Sequence, residues 1–465
     1  MTDVVVVGGG IAGLAAADRL AQAGAEVTLL EAAERLGGNV STTSFAGRPL
    51  DMGAETLVTR DRTVIDLCHE LSLADDLVVP ASSRAFVWTR GGLRPLPEGA
   101  LARMPGGLVE LVRSRLLSPL GLLRCGWDVI TPSRAPDDDV AIGAIVRSRL
   151  GREVLEQIID PLLGGIHAGR CDALSAQALA PHLIGALRTG KGLARGLRAA
   201  GPAPAGPAFA TLRGGLESFA GALAARAQEA GANVSLGVPT LTVDTPSPGR
   251  VVLAQGDGSA LEAAACILAT PAGAAARILQ EAAPTAAAEL ATIVHVPAAV
   301  VALAYPSEAL ARLPVGTGFV TAGDGRLVRA CTWSSAKWEH LRGEPPIVKA
   351  FVGRAGAPPP ALGDRELAAA VHRELASALG LRHAPVDLHV KRFGAAIPQY
   401  LVGHPARVER IEAKLPPVIA VAGASYRGAG LAACVRSGQA AADRVLGRLG
   451  FTAEARIPEK VRSHA

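Results

Sequence analysis

The sequence is poor in aromatic residues and in cysteine, and it lacks a long uninterrupted apolar run. Aromatic residues make up 3% of the 465 residues, and the six cysteines include no C-x-x-C pair. This pattern excludes a disulfide framework and a cysteine zinc site, and it favours a reducing, intracellular setting. The early apolar run at residues 4–17 is shorter than the roughly 20 residues that a membrane-spanning helix needs. It contains four glycines and follows no basic segment, unlike a signal peptide, so we predict a cytoplasmic protein.

Apolar residues and glycine are abundant. Hydrophobic residues make up 49% of the chain and charged residues 19%, which excludes a disordered protein. The 53 glycines and 32 prolines suit an α/β protein with many tight turns. At roughly 150 residues per domain, the length predicts about three domains.

The positive charge is concentrated in one segment. Residues 84–134 contain eight arginines and three acidic residues, an excess of five that equals the net charge of the whole chain, +5. An anionic ligand, a membrane surface or an acidic partner could each use this segment. A solvated helix face is the alternative. We expect no nucleic acid partner.

The N-terminal residues carry a dinucleotide-binding pattern. A β-branched run at residues 3–7 predicts a buried parallel strand, and an apolar periodicity after residue 10 predicts a helix. Between them the glycines of G-x-G-x-x-G allow a tight turn, a close approach to a pyrophosphate and close packing of the helix. A second predicted strand leads to Glu31, 23 residues after Gly8, where an acid accepts hydrogen bonds from a ribose 2′-hydroxyl and disfavours NADP. The predicted binding residues are Gly8, Gly9, Gly10, Ile11, Ala12, Gly13, Glu31 and Ala32.

The next residues distinguish FAD from NAD. Arg35, Gly37 and Gly38 form an R-x-G-G element that resembles the one after the second strand in a large class of FAD oxidoreductases. An ordinary Gly-Gly turn is the alternative. Asn39 stands where amine oxidases usually have arginine, which favours another branch of that class. We therefore predict FAD as the cofactor, with these four residues close to it.

Five further segments resemble the protoporphyrinogen and coproporphyrinogen oxidases, in the order found in that family. They are residues 49–60 (PLDMGAETLVTR), 160–175 (DPLLGGIHAGRCDALS), 211–223 (TLRGGLESFAGAL), 397–404 (IPQYLVGH) and 421–445 (VAGASYRGAGLAACVRSGQAAADRV). The resemblance implies further cofactor contacts at Gly53, Ala54, Glu55, Thr56, Val238, Phe393, Gly423, Gly430, Leu431 and Val435. Phe393 replaces a tryptophan that is common in the family, which retains the aromatic surface and loses the indole donor. The last segment also predicts a buried strand, a glycine-rich turn and a helix whose N-terminus suits the pyrimidine side of a flavin.

Since both ends of the chain carry cofactor motifs, the FAD-binding domain is predicted to be discontinuous. The predicted fold class is α/β, with a Rossmann-like domain of the amine oxidase and porphyrinogen oxidase type. That domain takes residues 1–84, 208–275 and 414–450. A mostly helical insertion takes residues 85–207, and an α+β substrate-binding domain takes residues 276–413.

The resemblance implies an enzyme of haem biosynthesis that removes six electrons from coproporphyrinogen III to give coproporphyrin III. Dioxygen would be the acceptor and peroxide the second product. We find no pattern for a protein nucleophile or a metal site and assign the redox step to FAD. Protoporphyrinogen IX oxidase is the runner-up, and a flavin amine oxidase or a non-enzymatic carrier on the same scaffold are more remote. Arg103, His167 and Tyr400 are the candidate substrate-binding residues, and peripheral membrane contact or transient contact with a ferrochelatase is compatible with this interpretation.

Overall fold

The computed structural model describes residues 2–97, 112–199, 206–311 and 313–451. The strands are β1 (Thr2–Val7), β2 (Val27–Leu30), β3 (Thr42–Phe45), β4 (Arg48–Asp51), β5 (Leu57–Val58), β6 (Leu77–Val78), β7 (Phe86–Thr89), β8 (Gly92–Pro95), β9 (Phe209–Leu212), β10 (Asn233–Ser235), β11 (Thr240–Ser247), β12 (Arg250–Gln255), β13 (Ala260–Leu268), β14 (His295–Ala304), β15 (Gly318–Thr321), β16 (Val328–Thr332), β17 (Ile347–Val352), β18 (Asp387–Pro398) and β19 (Ile419–Val421).

The α-helices are α1 (Ile11–Gln22), α2 (Arg62–Glu70), α3 (Pro119–Trp127), α4 (Ile142–Leu150), α5 (Arg152–Val154), α6 (Ala176–Leu179), α7 (Pro181–Arg188), α8 (Leu193–Ala199), α9 (Glu217–Glu229), α10 (Ala272–Ile278), α11 (Pro284–Ala291), α12 (Ser307–Leu310), α13 (Ser334–Lys337), α14 (Asp364–Leu379), α15 (His404–Lys414) and α16 (Leu431–Leu449). Helix α5 continues as a π-helical segment, Leu155–Gly164, and short 3₁₀ turns lie at Ala74–Asp76 and Glu339–Leu341. Within the described ranges, no helix has both the length and the apolar character needed to cross a bilayer.

The first sheet draws its strands from three distant parts of the chain. Its order is β10-β2-β1-β13-β12-β11, and β19 pairs with β13. Strand β1 runs parallel to β2 and β13, and β19 runs parallel to β13 with Val421 beside Leu268. The valines of β1 are buried because helices cover both faces of the sheet. The N-terminus, the middle and the C-terminal part of the chain thus meet in one layer.

The second sheet has the order β18-β14-β17-β16-β15-β7-β8. Helix α14 covers one face through Leu367, Val371 and Leu375. The opposite face packs Val300 and Ile347 against residues of the β3–β4 hairpin. This second face is therefore turned towards the first sheet and its loops.

The segment between these sheets begins with strands and continues with helices. Strands β7 and β8 form a hairpin that joins the second sheet, where Phe86 lies beside Phe319. The described helices from α3 to α8 then pack around an apolar core that includes Ile142, Ile158 and Leu183. The structure thus places residues 86–95 with the second sheet, whereas the sequence assigned them to the helical insertion. The division into three domains remains a proposal.

Candidate cofactor and substrate site

The glycines after β1 serve different purposes. A Cβ on Gly13 would overlap the Gly8 carbonyl oxygen, so Gly13 is needed for α1 to pack on the turn. Gly8 has a φ of +105°, and a Cβ there would lie 2.8 Å from the Ala269 oxygen. A Cβ on Gly10 would find only the Gly38 Cα, at 4.0 Å. Packing therefore does not require glycine at position 10, where the motif predicts a pyrophosphate.

The N-terminus of α1 fits a phosphate group. Gly10 caps this helix, and no side chain among the described residues caps it with a hydrogen bond. The first N–H groups of a helix need acceptors and carry a partial positive charge, which suits an anion. Ile11 and Ala12 are themselves buried in the core, so they offer backbone N–H groups rather than side chains.

Glu31 is held beside the glycine turn. One carboxylate oxygen accepts a hydrogen bond from the Gly9 N–H at 2.6 Å, and the other accepts from the Ala33 N–H at 2.8 Å. Each oxygen keeps a free lone pair, so the carboxylate can still accept hydrogen bonds from ribose hydroxyls. The Val238 N–H donates to the Glu31 carbonyl oxygen at 2.9 Å, which places Val238 next to this acid. Ala32 is exposed on the same turn.

Arg35 shapes the second glycine turn. Its guanidinium donates to the carbonyl oxygens of Leu36 and Val40 at 3.0 Å and of Gly38 at 2.5 Å. Gly37 donates its N–H to the Gly9 oxygen at 2.8 Å, which joins the two glycine turns. The arginine therefore fixes the backbone of the turn.

Asn39 connects this turn to the second sheet. Its side-chain amide donates to the Ala396 carbonyl oxygen of β18 at 2.9 Å. A Cβ on Gly53 would overlap the Asn39 carbonyl oxygen, and the Ala54 N–H donates to that oxygen at 3.3 Å. The turn at residues 53–56, with Thr56 half-buried, thus lies directly against the R-x-G-G turn.

The Glu55 side chain belongs to a buried ionic cluster. Its carboxylate binds the Lys337 ammonium at 2.6 Å and also binds the Lys349 ammonium. Lys349 is 1% exposed and donates to the Asp51 carbonyl oxygen at 2.5 Å. Burial alone would raise the pKa of Glu55, but the two ammonium groups outweigh it and hold the pKa at about 2. The carboxylate is therefore ionised and paired with two lysines. The predicted contact of Glu55 with the cofactor would then be made by its backbone.

Asp51 titrates in the opposite direction. Burial raises its pKa to about 6, although the Thr42 hydroxyl, the Lys349 ammonium and the Leu216 N–H stabilise its ionised form. Sequence reasoning missed Asp51, Lys337 and Lys349. The one available signal was a lysine in the middle of an otherwise apolar strand, IVKAFV.

The C-terminal turn lies against the N-terminal helix. Gly423 has a φ of +118°, and its N–H donates to the Ser437 hydroxyl at 2.9 Å. A Cβ on Gly438 would overlap the Ala12 carbonyl oxygen, which brings α16 into backbone contact with α1. The two ends of the chain that carry the cofactor motifs therefore meet.

The N-terminus of α16 resembles that of α1. Gly430 caps the helix, no described side chain caps it with a hydrogen bond, and a Cβ on Gly430 would have no neighbour within 4 Å. Leu431 is half-buried beside it. Val435, by contrast, is fully buried in the core of the first sheet, so its side chain does not face a cleft. The helix end with Gly430 and Leu431 fits the electron-rich side of a flavin ring.

Tyr400 holds the C-terminal turn. Its hydroxyl donates to the Ala424 carbonyl oxygen at 2.5 Å and accepts from the Gly428 N–H at 2.7 Å. Its ring is buried and stacks on His404, with centroids 4.0 Å apart. The structure thus places Tyr400 behind the turn, as a positioning residue, whereas the sequence suggested contact with the substrate.

Phe393 lies on the face of the second sheet that is turned towards the cofactor turns. It pairs with Ala298 of β14 and packs, half-buried, with the same apolar cluster as Phe351. Sequence reasoning missed Phe351. These two rings provide an apolar surface on this face of the second sheet.

His167 lies in the turn that follows the π-helical segment. The Gln399 side-chain amide donates to the His167 carbonyl oxygen at 2.9 Å, which ties this turn to the residue before Tyr400. Burial lowers the pKa of His167 to about 4, so the imidazole is neutral at neutral pH. Arg103 lies outside the described residues.

Comparison with known proteins identifies the family. Residues 11–446 match the flavin containing amine oxidoreductase family. Coproporphyrinogen III oxidase of Mycobacterium leprae is 33% identical, over 92% of this chain and 95% of its own length. Protoporphyrinogen oxidase of Bos taurus is 31% identical, over 96% and 98%. A crystal structure from Exiguobacterium sp. 255-15, provisionally named a protoporphyrinogen oxidase, superposes with a TM-score of 0.87 at 30% identity, over 96% of this chain and 99% of that one. These matches confirm the predicted fold class and FAD as the cofactor, and the chain belongs to the flavin containing amine oxidoreductase family.

Proposed function

We propose that this protein oxidises coproporphyrinogen III to coproporphyrin III in haem biosynthesis. The observation that carries the proposal is the full-length likeness to enzymes named for that reaction, in a chain whose two cofactor motifs meet in space. The site also has an apolar face, at Phe351 and Phe393, that suits a flat tetrapyrrole.

In this proposal the protein binds and orients. The N-terminus of α1 would hold the pyrophosphate, Glu31 would hold the ribose, and the N-terminus of α16 would support the flavin ring. When bound, FAD would supply the two-electron acceptor. Phe351 and Phe393 would hold the macrocycle and exclude water. His167 is the candidate acceptor for a proton released by a pyrrole nitrogen, although its lowered pKa, about 4, makes its imidazole a weaker base than an exposed histidine.

Six electrons leave the substrate in three two-electron steps, so three equivalents of dioxygen are consumed and three of peroxide are formed. A tetracarboxylate substrate suits a chain with excess arginine in residues 84–134 better than a dicarboxylate does. Protoporphyrinogen IX is the second candidate, since the bovine relative is named for it. Transfer of the product to a ferrochelatase by transient contact is part of the same proposal.

The test is anaerobic mixing of the FAD-loaded protein with each porphyrinogen while the flavin absorbance is followed. We expect complete bleaching with coproporphyrinogen III, at a rate about tenfold above that with protoporphyrinogen IX. Readmitting dioxygen restores the absorbance and releases one peroxide for every two electrons removed, that is, one per reduced flavin. The opposite rate order would assign the protein to protoporphyrinogen, and bleaching by amines alone would reject both.

A His167→Phe variant tests the proposed proton acceptor. Phenylalanine keeps a planar ring at this position and removes the basic nitrogens. We expect the bleaching rate to fall while the KM for the porphyrinogen changes little. An unchanged rate would assign His167 to packing.

A further inference from the structure

We propose that Arg354 is a positioning residue that fixes the turn at residues 165–169 as one edge of the substrate pocket. This turn, which we call the His167 turn, directly follows the π-helical segment. π-Helices are rare and occur frequently at functional sites. The inference rests on the proposed function, because it assigns the turn to a pocket for a tetrapyrrole. Arg354 lies in the loop after β17 and acts through the turn, not by touching the substrate.

Arg354 joins the His167 turn to the elements around it. Its side chain is 3% exposed, and one terminal nitrogen donates to the Gly169 carbonyl oxygen at 2.6 Å and to the Asp160 carboxylate at 3.0 Å. The other terminal nitrogen donates to the Asp324 carboxylate at 3.0 Å. Gly169 ends the turn, Asp160 lies in the π-helical segment, and Asp324 lies in the loop after β15. A buried guanidinium thus connects the helical segment to the second sheet at the point where the turn ends.

The backbone of the turn is strained and is held from outside. Ala168 has a φ of +44°, a left-handed conformation that is unfavourable for residues other than glycine. The Ala355 N–H donates to the Ala168 carbonyl oxygen at 2.7 Å, and the Gln399 side-chain amide donates to the His167 carbonyl oxygen. Together with Arg354, residues that follow β17 or β18 therefore hold three consecutive carbonyl oxygens of the turn. Such strain persists only where the surrounding structure fixes it.

The His167 turn packs on the face of the second sheet that carries Phe351. Val320 of β15 pairs with Ala330 of β16, and Ala330 pairs with Phe351 of β17. Residues paired across neighbouring strands point to the same face, so Val320 and Phe351 lie in one row on one face. A Cβ on Gly165 would lie 4.0 Å from a methyl carbon of Val320, which places the start of the turn on that row. The turn and the proposed apolar surface therefore border the same space.

His167 itself reports the position of the turn. Burial lowers the pKa of its imidazole to about 4 from an ordinary value of 6.5. If the turn is released, the ring gains contact with water, and its pKa should rise towards the ordinary value. This readout requires no porphyrinogen.

Two substitutions should release the turn with opposite effects on the local charge. Arg354→Met removes a cation and Asp160→Asn removes an anion. Asp160 uses both oxygens as acceptors, from Arg354 and from the Cys171 N–H, so asparagine cannot replace it. We expect the pKa of His167 to rise in both variants, whereas a direct effect of charge would raise it in the first and lower it in the second. NMR titration of the FAD-loaded protein with isotope-labelled histidine measures the pKa, and His167→Phe identifies the signal.

Asp324→Asn and Arg149→Met are the matched controls. Asp324 also binds Arg354, but its side chain is 56% exposed and makes no hydrogen bond to the His167 turn among the described residues. Arg149 binds the Asp128 carboxylate at 2.7 Å and donates to two carbonyl oxygens, an arrangement like that of Arg354 in the same helical segment. Arg149→Met should lower the melting temperature about as much as Arg354→Met, and both controls should leave the pKa of His167 unchanged. An equal rise in Arg149→Met would assign the effect to general loosening and overturn the proposal.

Anaerobic bleaching with coproporphyrinogen III tests the assignment of the turn to the pocket. We expect Arg354→Met to raise the porphyrinogen concentration that gives half the maximal bleaching rate about tenfold, and FAD retention to stay unchanged. If Arg354→Met does not fold, Asp160→Asn, which keeps the arginine, decides the test. Lack of bleaching in the wild type would reject the proposed function, and the His167 titration would still decide whether Arg354 fixes the turn. Normal bleaching in the wild type, with an unchanged His167 pKa or an unchanged half-saturating concentration in the variants, would overturn this inference alone.

Discussion

Replacing Glu55 with glutamine should destabilise the protein through the buried ionic cluster. Glutamine resembles the protonated acid in shape and hydrogen bonding but leaves Lys337 and Lys349 without their shared counter-charge. The pKa of Glu55 is held at about 2, against an ordinary value of 4.5. At 1.36 kcal/mol per pKa unit, the ionised form stabilises the folded state by roughly 3 kcal/mol at neutral pH. This agrees with the roughly 3–5 kcal/mol lost when a buried ion pair loses one partner.

The pH dependence of this loss follows from the sign of the shift. Because folding lowers the pKa of Glu55, its contribution is complete above the ordinary pKa and disappears as the pH falls towards 2. The difference in the free energy of unfolding between the wild type and Glu55→Gln should therefore be largest near pH 7 and shrink below pH 4.5. Urea denaturation followed by circular dichroism measures it, with FAD removed so that cofactor binding does not contribute.

Glu289→Gln is the matched control for this experiment. Glu289 also binds two cations, Arg410 at 2.8 Å and Lys414 at 3.4 Å, and their proximity lowers its pKa to about 2. This cluster lies at the surface, so the control should lose only about 0–1 kcal/mol, and salt should remove that loss. Equal losses for the two variants, or a salt-sensitive loss for Glu55→Gln, would refute the argument that burial makes the Glu55 cluster strong.

Three further experiments test the site. Gly10→Ala should fold normally but bind FAD more weakly, because the new methyl group meets no protein atom closer than 4.0 Å and occupies the predicted pyrophosphate position. Gly13→Ala should fail to fold, because its methyl group would overlap the Gly8 carbonyl oxygen. Thermal melting and flavin retention on desalting distinguish them, and normal retention by Gly10→Ala would move the pyrophosphate elsewhere. Tyr400→Phe should lower the free energy of unfolding by about 1–3 kcal/mol and weaken FAD binding, since it leaves the Ala424 oxygen and the Gly428 N–H without this partner. Tyr426→Phe is the control and should leave the free energy of unfolding almost unchanged, because the buried Tyr426 hydroxyl has no partner among the described residues. Calorimetric titration compares the affinity of the two variants for FAD, and similar affinities would contradict the prediction. Asp51→Asn should remove part of the pH dependence of stability. Folding raises the pKa of Asp51 from its ordinary value of 3.8 to about 6, so the stability of the wild type falls as the pH rises between these two values. The variant should lack that fall. A variant with the wild-type pH profile in urea titrations would assign the dependence to other groups.

The sequence predicted the N-terminal strand–turn–helix–strand unit well because it consists of neighbouring residues. Gly8, Gly13 and Glu31 lie where a strand–turn–helix–strand unit must place them. The contact between the two ends of the chain was also predicted, since two cofactor motifs need one cofactor. Membership of the family and the cofactor are confirmed.

The sequence could not predict contacts between side chains that lie far apart in the chain. In the sequence, Lys349 is a charged residue within an apolar strand, and nothing near it in the chain indicates its partner. The fold brings it into an ion pair with Glu55. The direction of the Tyr400 ring depends on its contacts with α15 and the C-terminal turn. The sequence does not show these contacts, so Tyr400 was assigned to the wall of the substrate site. Residues 86–95 pair with β15, which lies more than 200 residues later in the chain. The sequence could not show this pairing, so these residues were assigned to the helical segment that follows them.

The late position of β19 and α16 has a consequence for biosynthesis. A ribosome has made more than nine-tenths of residues 1–449 before β19, which completes the first sheet, and α16, whose N-terminus we propose to support the flavin, exist. A partly made chain can fold its β1–α1–β2 unit and still hold only one end of the dinucleotide. We therefore expect FAD to be retained only after both parts of the site have been made, so that flavin absorbance would report that β19 and α16 have joined the first sheet.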